Sequence, residues 1–530
     1  MRKERAHVEN CHPENEAVQR EESMIDVLLT HSYHLAYDRK QVRKQEPYPP
    51  LGTLYAASLL REQGISVAVF DPMLQEPESG LREALRIHKP KIVAIYEDDF
   101  NFLTKMCLTR MRELAWDMIQ ISRQSGAQVV VHGSDATDHA AEFMRRGAEC
   151  VLEGEAEYTL FGVVKVLLAG ESPAKLPGVL YLDEHGEAHR SQPSPRPGPR
   201  HSSTLPIPAL DLIDLSLYRK VWREVHGKFS LNLIASRGCP FRCNWCAKPI
   251  FGDTYQLRPA VDVANEMRVL KEEYGADHLW FADDIFGLNR HWLEEFASAV
   301  ERFNCSVPFK VQARADLVTE DAAQSLRRAG CAEVWMGVES GSQKILDAMG
   351  KGLRVEKVHA AREHLRREGI RTCYFLQFGY PGEQWKDIEK TVAVVRETRP
   401  DDIGVSFSYP LPDTRFYARV KEQLGAKQNW SDSEDLCVMF KGTYTDSLYR
   451  AVRDALHAEV KSWKLGAKQI EQAAENARLW KLAESLEPVC RNLDPTQFPA
   501  EGTEITGEVF EPVAFVPVES VAARGGQANE

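Results

Sequence analysis

Three cysteines stand together at Cys239, Cys243 and Cys246 in the stretch SRGCPFRCNWCAKPIFG, at spacings i, i+4 and i+7. Thiols grouped this closely are ligands for soft metals. A structural zinc site asks for four ligands, usually as two paired halves. No second half follows here, and His278 and His291, the nearest histidines downstream, lack ligand spacing. Three thiolates suit a cubane [4Fe–4S] cluster, because protein then holds three irons and the fourth keeps an open position. That open iron can chelate the amino and carboxylate groups of a methionine moiety. An atypical zinc knuckle, or structural cysteines brought together by chance, are the competing readings. The other cysteines, Cys11, Cys107, Cys150, Cys305, Cys331, Cys373, Cys437 and Cys490, are scattered singly. In a reducing compartment such residues behave as small buried hydrophobes.

A metal loop needs a rigid element before it. SLNLIAS (230–236) is an apolar run of strand length that ends just ahead of the first cysteine. DHLWFADD, PFKVQA, CAEVWMGVE, RTCYFLQFGY and DDIGVSFSY continue the series, with helical stretches between them. Six βα units in a row predict a partial or complete parallel, TIM-like barrel over about 228–412, with chemistry at the C-terminal ends of its strands. Ahead of it, MIDVLLT (Met24–Thr30), SVAVFD, KIVAIYEDD, AQVVVHG and AECVLEGE read as strands. They alternate with helices: TLYAASLLREQG, opened by PPLG (Pro49–Gly52) and ended by Gly64, then LREALRIHKP, a long one over about 101–125, and AAEFMRRG. Such alternation implies a parallel sheet covered on both faces. The expected fold is therefore α/β: a doubly wound, Rossmann-like or flavodoxin-like sheet, a partial (β/α)6 barrel and a helical C-terminal region. The expected boundaries are a disordered N-terminus 1–23, the front domain 24–170, a Pro/Ser/Arg-rich linker 171–227 and the barrel 228–412. A helical region 413–490, anchored by Trp463 and Trp480, and a mostly disordered tail 491–530 complete the chain.

CxxxCxxC after the first strand of a βα barrel resembles the signature of the radical S-adenosylmethionine (SAM) superfamily, and the resemblance extends through about Tyr409. It implies a [4Fe–4S] cluster on Cys239, Cys243 and Cys246, with SAM as co-substrate. It implies that Trp245, before the third cysteine, lies by the adenine. FADDIF (Phe281–Phe286) stands where the family binds the methionine amino group and offers Asp283 and Asp284. This departs from the GGE form of many members and is similar to an acidic variant in methylthiotransferase-like and cobalamin-associated members. By the same resemblance Arg314 contacts carboxylate or ribose, and Glu339 and Ser340, flanked by Gly337 and Gly341, contact ribose and carboxylate. YPGE (Tyr380–Glu383) fits the adenine-side loop. The bland alternatives are a helix cap for an aspartate, an ion pair for Arg314 and loop packing for Trp245.

The front domain resembles the cobalamin-binding domain of cobalamin-dependent radical enzymes, through PPLGTLYAASLLREQGISVAVFD and VVVHGSDAT…GAECVLEGEAEYTL. The resemblance implies that Gly52, Gly133, Ser134 and Gly154 let backbone approach the corrin and its tail. Two departures stand out. DxHxxG is missing, the first loop being THSYHLAYD with His31 and His34 in other surroundings, and YEDDF places acids after the third strand. A sheet that has lost its cofactor is the alternative.

The bulk numbers narrow the class. The 530 residues carry a net charge of −12 without a long basic run, which argues against a nucleic-acid binder. The charged N-terminus lacks an apolar signal core, and no apolar run is long enough for a bilayer span, so the expected compartment is the cytoplasm. The expected function is a cobalamin-dependent radical SAM enzyme that methylates an unactivated carbon of a small-molecule substrate. An external donor such as flavodoxin or ferredoxin would supply its electrons. Oxidative cyclisation or rearrangement is the alternative. A methylthiotransferase would want three further cysteines in the front domain, and a non-enzymatic iron–sulfur module would leave the strand-end residues unexplained.

Overall fold

The computed structural model describes residues 24–100, 109–193, 206–248, 250–424, 437–464 and 469–492, the side chains of 469–471 excepted. The expected terminal disorder, Cys11 and Cys107 fall outside these residues.

The front sheet alternates its buried side chains by strand period. β1 (Val27–Thr30), β2 (Val67–Val69), β3 (Ile92–Tyr96), β4 (Gln128–His132) and β5 (Cys150–Leu152) run parallel in the order β2-β1-β3-β4-β5. Leu28, Val93, Ile95, Val129, Val131 and Val151 pack on one face, with Leu81 and Leu85 of helix Pro77–His88 and Leu114 and Met118 of helix Thr109–Gln124. Val27, Leu29, Ile92, Ala94, Val130 and Leu152 pack on the other, with Ala56 and Leu60 of helix Leu51–Glu62 and Leu160 and Val163 of helix Glu157–Leu168. Each face is covered because each strand is apolar at both parities, as a parallel sheet requires.

The stretch 171–227, expected as extended linker, departs from that reading. β6 (Val179–Leu182) and β7 (Ala188–Arg190) form a hairpin that adds two antiparallel strands to the β5 edge. The turn is specified locally: Asp183 Oδ1 accepts the amides of His185 and Glu187 at 2.9 Å, and Gly186 takes φ +78°. Leu215–His226 is a helix whose N-cap Asp214 accepts the amide of Ser216, and whose buried Tyr218 and Trp222 join the barrel core.

The second sheet is β8 (Ser230–Leu233), β11 (His278–Phe281), β12 (Phe309–Ala313), β13 (Cys331–Glu339), β14 (Arg371–Phe378) and β15 (Asp402–Phe407), parallel and in that order. Its end strands do not pair with each other, so it is a partial barrel. A short antiparallel pair, β9 (Ser236–Arg237) and β10 (Gln256–Leu257), brackets the cysteine loop. Register separates the two faces: Trp280 pairs with Lys310, Gln312 with Trp335, and Gly337 with Phe375. Half-buried Lys310, Gln312, Trp335 and Phe375 share the concave side, while Leu279, Val311, Val334, Met336 and Leu376 are fully buried under the outer helices. The front domain reaches into the lower part of this concavity. Tyr48 packs tilted against Trp280 at 4.7 Å between ring centroids, Glu46 Oε2 meets Lys310 Nζ at 3.2 Å, and Asn232 Nδ2 donates to the Pro49 carbonyl.

After β15 the chain is helical at Arg415–Val420, Asp446–Ser462 and Gln469–Leu486. Tyr449 packs on Phe407 of β15 at 5.5 Å, so the long helix covers the open barrel edge. Trp463 and Trp480 lie under the Arg399 and Arg396 guanidinium groups, and Trp480 Nε1 donates to Glu459 at 2.6 Å. No helix among the described residues is long and apolar enough to cross a membrane.

Candidate functional site

Cys239, Cys243 and Cys246 are half-buried, outside any disulfide, on one loop at the C-terminal end of β8 and β9. Among the described residues no three His, Cys, Asp or Glu side chains converge on a single ion. Three thiols on one loop are a donor set that suits a multi-iron cluster, in which each thiolate takes its own iron and a fourth iron keeps an open position. Burial and the nearby Asp284 carboxylate push the Cys239 thiol upward.

The loop is braced from inside and outside. Lys248 Nζ donates to the carbonyls of Cys239 (2.9 Å) and Phe241 (2.6 Å) and pairs with Asp253. Asn244 donates its amide to Met349 O (2.9 Å) and Nδ2 to Ala348 O (2.7 Å), while its Oδ1 accepts the Tyr380 hydroxyl (2.9 Å). Arg314, expected as a ligand contact, braces the loop too. Its guanidinium lies 3.8 Å from the Phe241 ring centroid, forks onto Asp316 at 3.0 Å twice, and donates to the Lys351 carbonyl at 2.9 Å.

The expected SAM residues divide by position. Asp283 is buried, accepts the Ala235 amide at 3.0 Å and the Ser236 hydroxyl, and burial pushes its carboxyl up to about 7. Asp284 shares the parity of Trp280 and Ala282, is exposed, and lies near enough to Cys239 to act on its thiol. Glu339 ends β13 in the left-handed region at φ +62° and pairs in the buried state with Lys351 Nζ at 2.8 Å. Gly337 gives that pair its room, since a Cβ there would come 2.8 Å from Lys351 Nζ. Ser340 is fully buried on the far side, 3.2 Å from the Thr391 hydroxyl. Gly341 serves close packing against helix Trp385–Thr398, where a Cβ would come 2.4 Å from the Lys390 carbonyl. Trp245 packs near Lys351 at 5.9 Å, and its buried Nε1 has no partner among the described residues.

In YPGE, Glu383 is fully buried, accepts the Gly379 amide at 2.7 Å, and is pushed up to about 8 by burial. Lys248, Asn244 and Lys351 escaped the sequence reading. Lys248 and Asn244 sat in plain view beside the cysteines, but polar neighbours of a metal loop carry no spacing signal.

The front-domain candidates are differently placed. Gly52 and Gly133 close on the acidic loop: a Cβ on Gly52 would come 2.9 Å from the Asp99 amide, and one on Gly133, at φ +142°, 2.8 Å from Glu97 Cγ. Asp98 Oδ1 accepts the Gly52 amide at 2.9 Å, and burial pushes that carboxyl up to about 6. Glu97 accepts the Ser32 amide at 2.9 Å, so the loop bridges the ends of β1 and β4. Gly154 approaches Ile250 across the domain boundary, at 3.6 Å from its carbonyl for an added Cβ. Ser134 opens the short helix Ser134–Asp138. Burial, and after it the Asp413 carboxylate, pushes Asp138 at the other end of that helix up to about 7. His31 Nε2 bonds Asp71 at 3.0 Å, His34 Nδ1 bonds the Pro72 carbonyl at 2.7 Å, and His132 Nε2 bonds the Gly154 carbonyl at 2.9 Å. The glycines thus do not make an open corrin cradle, and these imidazoles are engaged within the domain.

Residues 233–395 match the sequence model of the Radical SAM superfamily. The chain carries a radical SAM domain. Over 389 residues it is 27% identical to an uncharacterised methyltransferase of Pyrococcus horikoshii, covering 72% of this chain and 81% of that one. It is 23% identical over 403 residues to the anaerobic magnesium-protoporphyrin IX monomethyl ester cyclase of Rubrivivax gelatinosus, covering 73% and 68%. The fold is that of the radical SAM methyltransferase TsrM from Kitasatospora setae, solved with cobalamin and a [4Fe–4S] cluster bound. The TM-score is 0.61 at 20% identity, over 77% of this chain and 76% of that one.

Proposed function

We propose that this chain is a cobalamin-dependent radical SAM methyltransferase. It binds a [4Fe–4S] cluster on Cys239, Cys243 and Cys246, SAM beside it, and cobalamin at the strand ends of the front sheet. The observation that carries the reading is three thiols on one braced loop, with Asp284 beside Cys239 at the C-terminal end of a radical SAM barrel. When bound, the reduced cluster supplies the electron that splits SAM into methionine and a 5′-deoxyadenosyl radical, and cobalamin supplies a methyl group. Asp284 accepts the methionine ammonium. Glu339, fixed by Lys351, meets the ribose hydroxyls, and the Trp245 ring lies along the adenine with its Nε1 available to the ligand. Arg314, Lys248 and Asn244 keep the loop from shifting, which matters because a misplacement of about 1 Å can cost about a hundredfold in rate. The substrate is a small molecule in the cleft between the domains, the electron donor a flavodoxin or ferredoxin, and the compartment the cytoplasm.

Cyclisation or rearrangement without net methylation is the second reading, supported by the likeness to the Rubrivivax cyclase. Anaerobic reconstitution with SAM and a reductant separates the two: methylation yields S-adenosylhomocysteine together with 5′-deoxyadenosine, cyclisation the deoxyadenosine alone. Absence of both products under reducing conditions, with the cluster loaded, overturns the radical reading.

A further inference from the structure

The cysteine loop is anchored at its entrance by a residue whose counter-charges both come from the other domain. Arg237 ends β9, two residues before Cys239, and its side chain is 3% exposed. One guanidinium nitrogen pairs with Glu155 and another with Glu157 Oε1 at 2.5 Å, and these carboxylates are 10% and 3% exposed. Both belong to the segment after β5 of the front sheet. Among the described residues the barrel offers Arg237 no carboxylate of its own. The rings of Tyr55 and Phe100 from the front domain and Phe251 from the barrel surround the guanidinium at 5.7, 5.3 and 5.6 Å. Gln256, paired with Arg237 across β9 and β10, donates to Glu155 Oε2 at 3.2 Å. One front-domain turn thus grips both strands that bracket the cysteines.

A buried guanidinium is tolerated only where carboxylates compensate it. With the front domain displaced, Arg237 would lose both carboxylates and the Tyr55 and Phe100 rings that enclose it, and β9 would be left free to shift. That movement would pass straight to Cys239, because Gly238 between them is tightly enclosed: a Cβ there would come 2.4 Å from the Thr254 carbonyl. The other braces, Lys248 to Asp253 within the loop and Asn244 and Arg314 to the barrel, do not fix it to the front sheet.

We infer that Arg237 is a positioning residue through which the docked front domain sets the geometry of the cysteine loop, and so the binding of SAM at its cluster. The inference rests on the proposed reading of that loop as a cluster site. It makes the front domain part of the cluster site mechanically, whatever ligand its strand ends hold.

The test uses the full chain and the double variant Glu155→Gln/Glu157→Gln, which keeps shape and removes both counter-charges. In the metal-free protein, amide exchange over Gly238–Lys248 should quicken by about tenfold while β12 to β14 keep their protection. In the iron-loaded protein, the change that SAM induces in the electron paramagnetic resonance spectrum of the reduced cluster should weaken, with SAM affinity down by about tenfold. Arg237→Lys, which keeps the charge and loses the fork, should shift both readouts in the same direction by less, and it carries the test if the double variant does not fold. Wild-type exchange and an undiminished SAM response in these variants overturn the inference. So does Glu46→Gln, a domain contact at the other end of the barrel, if it loosens the loop equally. If wild-type protein takes up no iron, the cluster reading fails, while the metal-free exchange still judges the latch.

Discussion

The two parallel sheets of this chain end their strands in similar-looking sequence, glycines beside acids, and use them in opposite ways. At the barrel mouth, just past the end of β11, the alternation leaves Asp284 exposed and Asp283 buried, and Asp283 and Ser340 hold neighbouring elements behind it. At the front sheet, the acids of the Glu97–Asp99 loop fold back onto Gly52 and Gly133 and fill the space beside those two glycines. The lesson is that a glycine at a strand end signals close approach without naming what approaches. In the barrel the neighbour of Gly337 is the Lys351–Glu339 pair; in the front sheet it is a loop of the same domain.

The largest effect belongs to the loop that only the barrel has. Cys243→Ala should take iron from about four per chain to near none and abolish deoxyadenosine formation; normal iron retention would refute the cluster. Next comes the contrast between neighbouring aspartates. Asp284→Asn should weaken SAM binding by about 10- to 100-fold, the scale of one charge-assisted hydrogen bond, with little change in stability. Asp283→Ala should do the reverse, removing about 1–3 kcal/mol of stability by leaving the Ala235 amide and Ser236 hydroxyl without their acceptor. Equilibrium titration with SAM and denaturant unfolding read the two separately, and equal behaviour of the two variants would break the parity argument.

Most of the architecture was legible because apolar strands and amphipathic helices announce themselves by period, and the cysteine loop by spacing. The hairpin Val179–Arg190 was hidden by the Pro-rich stretch after it, although Asp183 and Gly186 carry an ordinary turn signal. Residue roles were less legible. Sequence alone placed Asp283 and Asp284 side by side, and only their burial in the fold tells them apart: Asp283 is buried on Ala235 and Ser236, Asp284 exposed. Arg237 was invisible for a different reason: its partners lie some eighty positions away, across a domain boundary that no local pattern crosses.

Two changes probe the closed side of the comparison. Gly133→Ala puts a Cβ against Glu97 in a backbone conformation that L residues avoid, and should cost about 1–3 kcal/mol of front-domain stability. Corrin absorbance per folded chain after purification with hydroxocobalamin should stay unchanged; loss of corrin without loss of stability would return Gly133 to the ligand. Glu383 tests burial by pH. Its folded carboxyl is raised from 4.5 to about 8, so the neutral form is favoured in the folded state. Its contribution is full below about 4.5 and is lost as pH rises through about 8, at up to about 1.4 kcal/mol per pH unit. Glu383→Gln, which cannot ionise, should therefore flatten the decline of metal-free stability over that window. An unchanged slope would mean that the acid is ionised in the fold.

The smallest effect is expected at Ser340, and it is the most discriminating for its size. The resemblance to the family pairs Ser340 with Glu339 at the ligand, whereas its hydroxyl lies by Thr391 and accepts the Ser342 amide at 3.1 Å. Ser340→Ala should lower stability by about 1 kcal/mol, the net worth of one intramolecular hydrogen bond, and leave SAM affinity untouched. Glu339→Gln, one residue away, should weaken SAM binding, because it replaces with a neutral amide the carboxylate that Lys351 holds. If Ser340→Ala also weakens SAM while unfolding as the wild type does, then β13 turns its last residues to the ligand regardless of parity. The barrel's strand ends would then have to be read like those of the front sheet, by neighbouring loops and not by strand register.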